Sequence, residues 1–136
     1  MRIHADTTPN SRLLHGDVTG HVIAAFYSVY NDLGHGFLEA VYSRALEVEF
    51  QRRNMEYRRE YGMTVFYLGQ DVGTCRSDFL VEEKVIVEVK ATASVAAAHQ
   101  QQLQHYLKAT RAPVGLLLNF GVKARFFRAI NPYRQV

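Results

Sequence analysis

Arg76-Ser77-Asp78-Phe79-Leu80-Val81-Glu82-Glu83-Lys84-Val85-Ile86-Val87-Glu88-Val89-Lys90 holds two runs of strand-forming residues on either side of Glu82-Glu83-Lys84, the pattern of two strands joined by a short connection. With Glu83 at the centre of that connection, Val81 faces Val85, Leu80 faces Ile86, and Asp78 lies directly opposite Glu88. Directly opposed residues share one face of a sheet, with Cβ atoms about 4.5–5.5 Å apart. Two carboxylates so placed repel unless a cation sits between them or one is protonated. Lys90, two residues beyond Glu88, comes to the same face by strand alternation.

Convergence of Asp78, Glu88 and Lys90 has a chemical reading. Paired carboxylates are hard oxygen ligands that suit Mg²⁺ or Mn²⁺. An adjacent ammonium can hold a metal-bound water and offset charge developing on a phosphate. The spacing alone favours a surface hairpin with scattered charges, and a second Glu-x-Lys, Glu82-x-Lys84, falls in the expected turn as a solvated decoy. The setting separates the two. Val85, Ile86, Val87 and Val89 surround Glu88, and such a run belongs to a strand covered on both faces, where an unpaired Glu and Lys are expensive.

Outward from the hairpin, Tyr57 to Leu68, Gly73 to Val81 and Val85 to Ala91 form a three-stranded antiparallel meander, with Gly69-Gln70-Asp71 as its first turn. Upstream, Val22, Phe26, Val29, Tyr30 and Leu33 follow helical spacing from Val18, and Gly34-His35-Gly36 ends that helix. A second helix follows with Gly36 as N-cap. Leu38, Val41, Ala45 and Val48 make one apolar row and Tyr42, Leu46 and Phe50 another, which predicts a broad buried face closed off at Arg52-Arg53-Asn54. Downstream come a third helix from about Val95 to Thr110, a stop at Pro113, and strands Val114 to Phe120 and Arg125 to Ile130 around Gly121. The order ααβββαββ describes a single α/β domain (α+β by element order) over residues 16–131, after a loose leader at 1–15 and before a tail at 132–136.

Two further places carry polar groups beside apolar ones. His99, Gln102 and Tyr106 flank Leu103 and Leu107 on the third helix. They either look onto the carboxylates or sit at a core boundary with wet tips. Glu39 shares a face with Tyr42, Leu46 and Phe50; it is either a site carboxylate or, at N3, a favourable partner for the free amides of the helix start. The histidines show no HExxH spacing and Cys75 has no Cys partner, which argues against zinc, and no GxxxxGK[ST] or GxGxxG occurs.

Composition bounds these readings. The chain has 136 residues, 48% of them apolar and 21% charged, an ordinary globular balance. One cysteine excludes an intrachain disulfide, and with no apolar leader or membrane-length run the expectation is a cytoplasmic protein. Net charge is +3, from twelve Arg and four Lys against thirteen acids, a bias toward the side chain that grips phosphate.

Gly36-Phe37-Leu38-Glu39-Ala40-Val41-Tyr42 resembles the signature of the GxxExxY proteins, a group within the PD-(D/E)XK nuclease superfamily. The likeness continues through Arg76-Ser77-Asp78-Phe79, Val85 to Ala91, His99-x2-Gln102-x3-Tyr106-Leu107-Lys108-Ala109-Thr110 and Gly115 to Gly121, nearly the whole domain. The resemblance implies a restriction-endonuclease-like core: a mixed central sheet flanked by helices, with the acidic hairpin in its middle. It implies metal ligation by Asp78, Glu88 and the carbonyl of Val89, assisted by Glu39, with Lys90 as the catalytic lysine and Gln102 and Tyr106 as the helix motif; Tyr42 and His99 are accessory candidates. The expected function is hydrolysis of phosphodiester bonds in nucleic acid, DNA first, with Mg²⁺ or Mn²⁺ as cofactor. Cutting both strands of a duplex favours a homodimer. The rivals are a non-catalytic nucleic-acid-binding module and a partner-binding structural domain of the same fold.

Overall fold

The structure is a computed structural model that describes residues 2–3 and 15–132. Its elements in chain order are β1 (Arg2–Ile3), α1 (Gly16–Leu33), α2 (Glu39–Arg52), β2 (Tyr57–Tyr67), β3 (Gln70–Val81), β4 (Val85–Lys90), α3 (Ala97–Lys108), β5 (Val114–Phe120) and β6 (Ala124–Ile130). One mixed sheet runs in the order β1-β6-β5-β4-β3-β2. Among the described residues only the β4–β5 pair is parallel, joined through α3. Most of the leader and residues 133–136 of the tail lie outside the described residues. Within the leader, Arg2 and Ile3 pair with Arg128 and Phe127, so that stretch is not wholly without structure.

Both sheet faces are covered. Phe79, Val81, Val85, Val87, Val89, Leu116 and Leu118 point into the layer of α1 and α2, among Phe26, Tyr42, Leu46 and Phe50. Leu80, Ile86, Leu117 and Phe127 point the other way, onto Leu103 and Leu107 of α3. This explains the unbroken apolar runs of β4 and β5: each central strand is buried on two sides, as parallel neighbours are. Gly115 lets α3 approach closely, since a Cβ there would lie 2.9 Å from Leu103 Cδ1.

Three details differ from the sequence reading. Helix α2 begins at Glu39 with Leu38 as N-cap, so Gly36 is not the cap and Glu39 is the first helical residue. Its buried face is one seam, Tyr42, Leu46 and Phe50, while Leu38, Val41 and Val48 are 78%, 39% and 63% exposed. The three large seam side chains fill the space against the sheet, with Tyr42 stacked on Phe120 and Phe50 edge-on to Phe79, so of the second row Ala45 alone packs against the core while Leu38, Val41 and Val48 have nothing to pack on. The first hairpin turns on Leu68-Gly69, both left-handed at φ 49° and 78°. This two-residue geometry suits the twist of the flanking strands, and β3 therefore starts at Gln70.

The long β2–β3 hairpin also changes sides along its length. Tyr57 and Phe79 pack with α1 and α2, but Tyr61, Met63 and Cys75 pack with α3, although all five positions are odd. Strict alternation would keep them on one face. The break falls at Glu60, a left-handed residue at φ 51° in the middle of β2, between the paired positions Arg59–Phe79 and Tyr61–Ser77.

Candidate active site

The acidic hairpin folds in the expected register: Val81 pairs with Val85, Leu80 with Ile86 and Phe79 with Val87. There the ladder stops. Strand β4 stays with β5 as far as Lys90 opposite Asn119, whereas β3 continues with β2 alone, so the sheet forks at Asp78 and Glu88. In the fork, the Asp78 amide donates to Glu88 Oε1 at 3.0 Å, and the Val89 amide donates to Asp78 Oδ2 at 2.7 Å. Side-chain carboxylates thus replace main-chain acceptors where the strands part. The second oxygen of each takes no hydrogen bond among the described residues.

The fork is electrostatically strained. Glu88 is 5% exposed, and burial, reinforced by the charge of Asp78, pushes its carboxyl up to about 8. Asp78 is also raised, chiefly by burial and against the pull of the Val89 amide and Lys90. Lys90, half-buried at the end of β4, favours the ionised form of both but forms no ion pair with either among the described residues. Tyr106 faces the same spot from α3; burial first and Glu88 second push its phenol up to about 12. It is a proton donor at neutral pH, not a base.

The other expected residues divide into those near the fork and those that act elsewhere. Gln102 lines a groove with Tyr106 and Cys75 beside the fork. Glu39, exposed at the start of α2, reaches Glu88 through its charge, and among the described residues no three acidic, His or Cys side chains close on one point. His99 serves its own helix: its Nδ1 accepts from the Ala96 amide at 3.2 Å. Tyr42 is fully buried; its hydroxyl donates to Gly34 O at 2.6 Å and accepts from the Phe37 amide at 3.2 Å. With Gly34 and Gly36 left-handed at φ 68° and 112°, Tyr42 ties down the turn that delivers Glu39. Gly36, Glu39 and Tyr42 are therefore one device: a turn, the carboxylate it presents and the side chain that fastens it.

Three contributors escape the sequence reading. Glu60 and Arg59, beside Asp78, act on it with opposite sign. Asn119, buried in an otherwise apolar strand, clasps the chain just past Lys90: the Thr92 amide donates to its Oδ1 at 3.0 Å, and its Nδ2 donates to Thr92 O at 3.1 Å. A lone Asn among Leu116, Leu117, Leu118 and Phe120 was the available signal. Glu60 carries none, because its place depends on a left-handed backbone.

A family model of the PD-(D/E)XK nuclease superfamily matches residues 16–129. The chain belongs to the PD-(D/E)XK nuclease superfamily. A solved structure titled "Crystal structure of SSO0001" is similar in fold, with a TM-score of 0.57 and 18% identity over 90% of this chain and 62% of that one. This PD-(D/E)XK chain thus spans less than two thirds of that protein. No curated protein matches the sequence.

PD-(D/E)XK nucleases typically use divalent metal ions, and the fork fits one. A buried and a part-buried carboxylate held close, each with an oxygen to spare, are a costly arrangement without a cation. With no third side chain closing the group, the donor set suits an ion that keeps several waters, as Mg²⁺ does.

Proposed function

We propose that this PD-(D/E)XK domain, of the GxxExxY type, is a metal-dependent nuclease that hydrolyses phosphodiester bonds in nucleic acid, with DNA as the first substrate to test. The observation that carries the reading is the fork itself: Asp78 and Glu88 desolvated together, with Lys90 on the same strand as Glu88.

In this reading Asp78, Glu88 and the Val89 carbonyl would hold Mg²⁺ or Mn²⁺, assisted by Glu39 at the start of α2. The ion would supply a water of lowered pKa and withdraw charge from the phosphate. Lys90 orients that water and offsets charge building on the phosphate oxygens. Tyr106, protonated, and Gln102 donate hydrogen bonds to water or substrate. Arg59, near the fork, and other arginines hold the phosphate backbone, so binding weakens as salt rises. Cleavage of both strands of a duplex calls for two copies. Among the described residues no helix is long and apolar enough to cross a membrane.

The test is incubation of plasmid, linear duplex, single-stranded DNA and RNA with Mg²⁺ or Mn²⁺, beside Asp78→Ala and Lys90→Ala. Cleavage by the parent chain and its loss in both variants is expected. Parent and variants with equal activity in every condition would remove the enzyme.

One observation favours a second reading. The two carboxylates already satisfy main-chain amides, as a purely structural clasp in a binding module would. That reading expects salt-sensitive binding without cleavage, and no loss of affinity in Glu88→Gln.

A further inference from the structure

Below the fork, residues 70–77 of β3 pair only with β2, so the end of this hairpin stands away from the sheet beside α3. Between them runs a groove of about 1100 Å³ that includes Gln102, Tyr106 and Cys75 and so opens directly beside the Asp78–Glu88 fork. Its hairpin wall is apolar yet wet. Phe66 and Tyr67 are each 66% exposed, with Val65 and Val72 next to them. A second groove of about 890 Å³ continues past Phe66 and Lys108 to Arg111. The only acid lining either groove among the described residues is Glu83, which is paired with Arg58 at 2.6 Å; the rest of the charge is Lys108, Arg111 and, when protonated, His105.

We propose that this groove seats a single strand of nucleic acid, its bases stacked on Phe66 and Tyr67 and its backbone leading to the fork. The proposal rests on the nuclease reading and narrows its substrate. Exposed aromatic rings in a groove free of unpaired acids recognise the π-faces of bases together with a polyanionic chain. A duplex hides those faces in its own stack. Phe66 and Tyr67 belong to the hairpin side of the groove, and Gln102 and Tyr106 on the α3 side can meet the sugar or phosphate at the entrance to the fork. A strand entering this way needs one copy of the protein, unlike duplex cleavage.

The test is fluorescence anisotropy in Mg²⁺ at fixed salt, using the full chain as Glu88→Gln with and without Phe66→Ala and Tyr67→Ala. The probes are a labelled mixed-sequence 15-nucleotide DNA strand, its RNA counterpart and the matching DNA duplex. The single strands are expected to bind at least tenfold more tightly than the duplex. Removing both rings should weaken them by about tenfold or more and leave the duplex unchanged. Should the double alanine variant melt early, Phe66→Leu and Tyr67→Leu keep apolar bulk without the ring faces and should weaken the single strands likewise. Equal affinity for duplex and single strand, or loss of the rings without effect in either variant pair, overturns the proposal. So does a ring-dependent dimer in sedimentation, which would assign the face to a second copy. The two readings fail separately: ring-dependent single-strand binding by a chain that cuts nothing supports the groove and removes the nuclease, while cleavage with ring-independent binding does the reverse.

Discussion

Glu88 accepts a hydrogen bond from the main-chain amide of Asp78, and Asp78 accepts one from the amide that follows Glu88. Each carboxylate is anchored to the other's strand at the point where the sheet divides. The bonds fix the separation of two carboxyl groups whose charged forms repel, one of them buried and the other part-buried.

Stability of the metal-free chain should fall as pH rises. Glu88 goes from an ordinary 4.5 to about 8 on folding, so between these values the native state binds more protons than the unfolded one. A raised folded-state pKa gives stability that is complete below about 4.5 and lost as pH climbs through 8. The loss is on the order of 3–5 kcal/mol, and Asp78, raised in the same direction, adds to it. Denaturant melts in EDTA from pH 5 to 8.5 should show the decline, and Glu88→Gln should flatten most of it.

A divalent ion should reverse that trend. Protons and metal compete for the same oxygens, so Mg²⁺ or Mn²⁺ should raise Tm by several degrees at pH 8 and hardly at all at pH 5, by mass action on the native state. Asp78→Ala should abolish the shift. A melting temperature indifferent to divalent ions at pH 8 would mean that the fork holds none.

Tyr42→Phe keeps the ring stacked on Phe120 but removes the hydroxyl that holds Gly34 and Phe37. The expected cost is about 1–2 kcal/mol, read as a small fall in Tm. Cleavage should fall by a larger factor than this loss of folded protein explains, because the turn that presents Glu39 is loosened. An activity unchanged at full folding would make Tyr42 a packing residue only.

Gly121→Ala and Gly115→Ala should differ. A Cβ at Gly121 would lie 2.5 Å from the Thr92 carbonyl, which is main chain, whereas at Gly115 it meets the Leu103 side chain at 2.9 Å. The first cannot yield without opening the Asn119 clasp beyond Lys90. Thermal melts should show a loss of about 3 kcal/mol for Gly121→Ala and about 1 kcal/mol for Gly115→Ala, with activity lost only in the former.

Much of the candidate site's geometry was legible because the hairpin obeys simple rules. The short polar connection sets the register, and Val85, Ile86, Val87 and Val89 announce a strand with two covered faces. Less was legible where the backbone leaves the common regions of φ. Leu68 and Glu60 are left-handed, a conformation that side chains other than Gly, Asn and Asp rarely adopt, so neither the turn nor the change of side in β2 could be read from residue types. Helix α2 failed differently: periodicity finds an apolar row but cannot say whether a second surface exists to cover it, and Leu38, Val41 and Val48 have none.

The most direct measurement is the single-turnover cleavage rate of an end-labelled DNA strand at saturating Mn²⁺, for the parent chain and for Glu88→Gln. The isosteric change removes the charge and keeps the fold. The account predicts cleavage by the parent and a rate at least a hundredfold lower in Glu88→Gln; equal rates in a folded variant, or no cleavage by either, would contradict it.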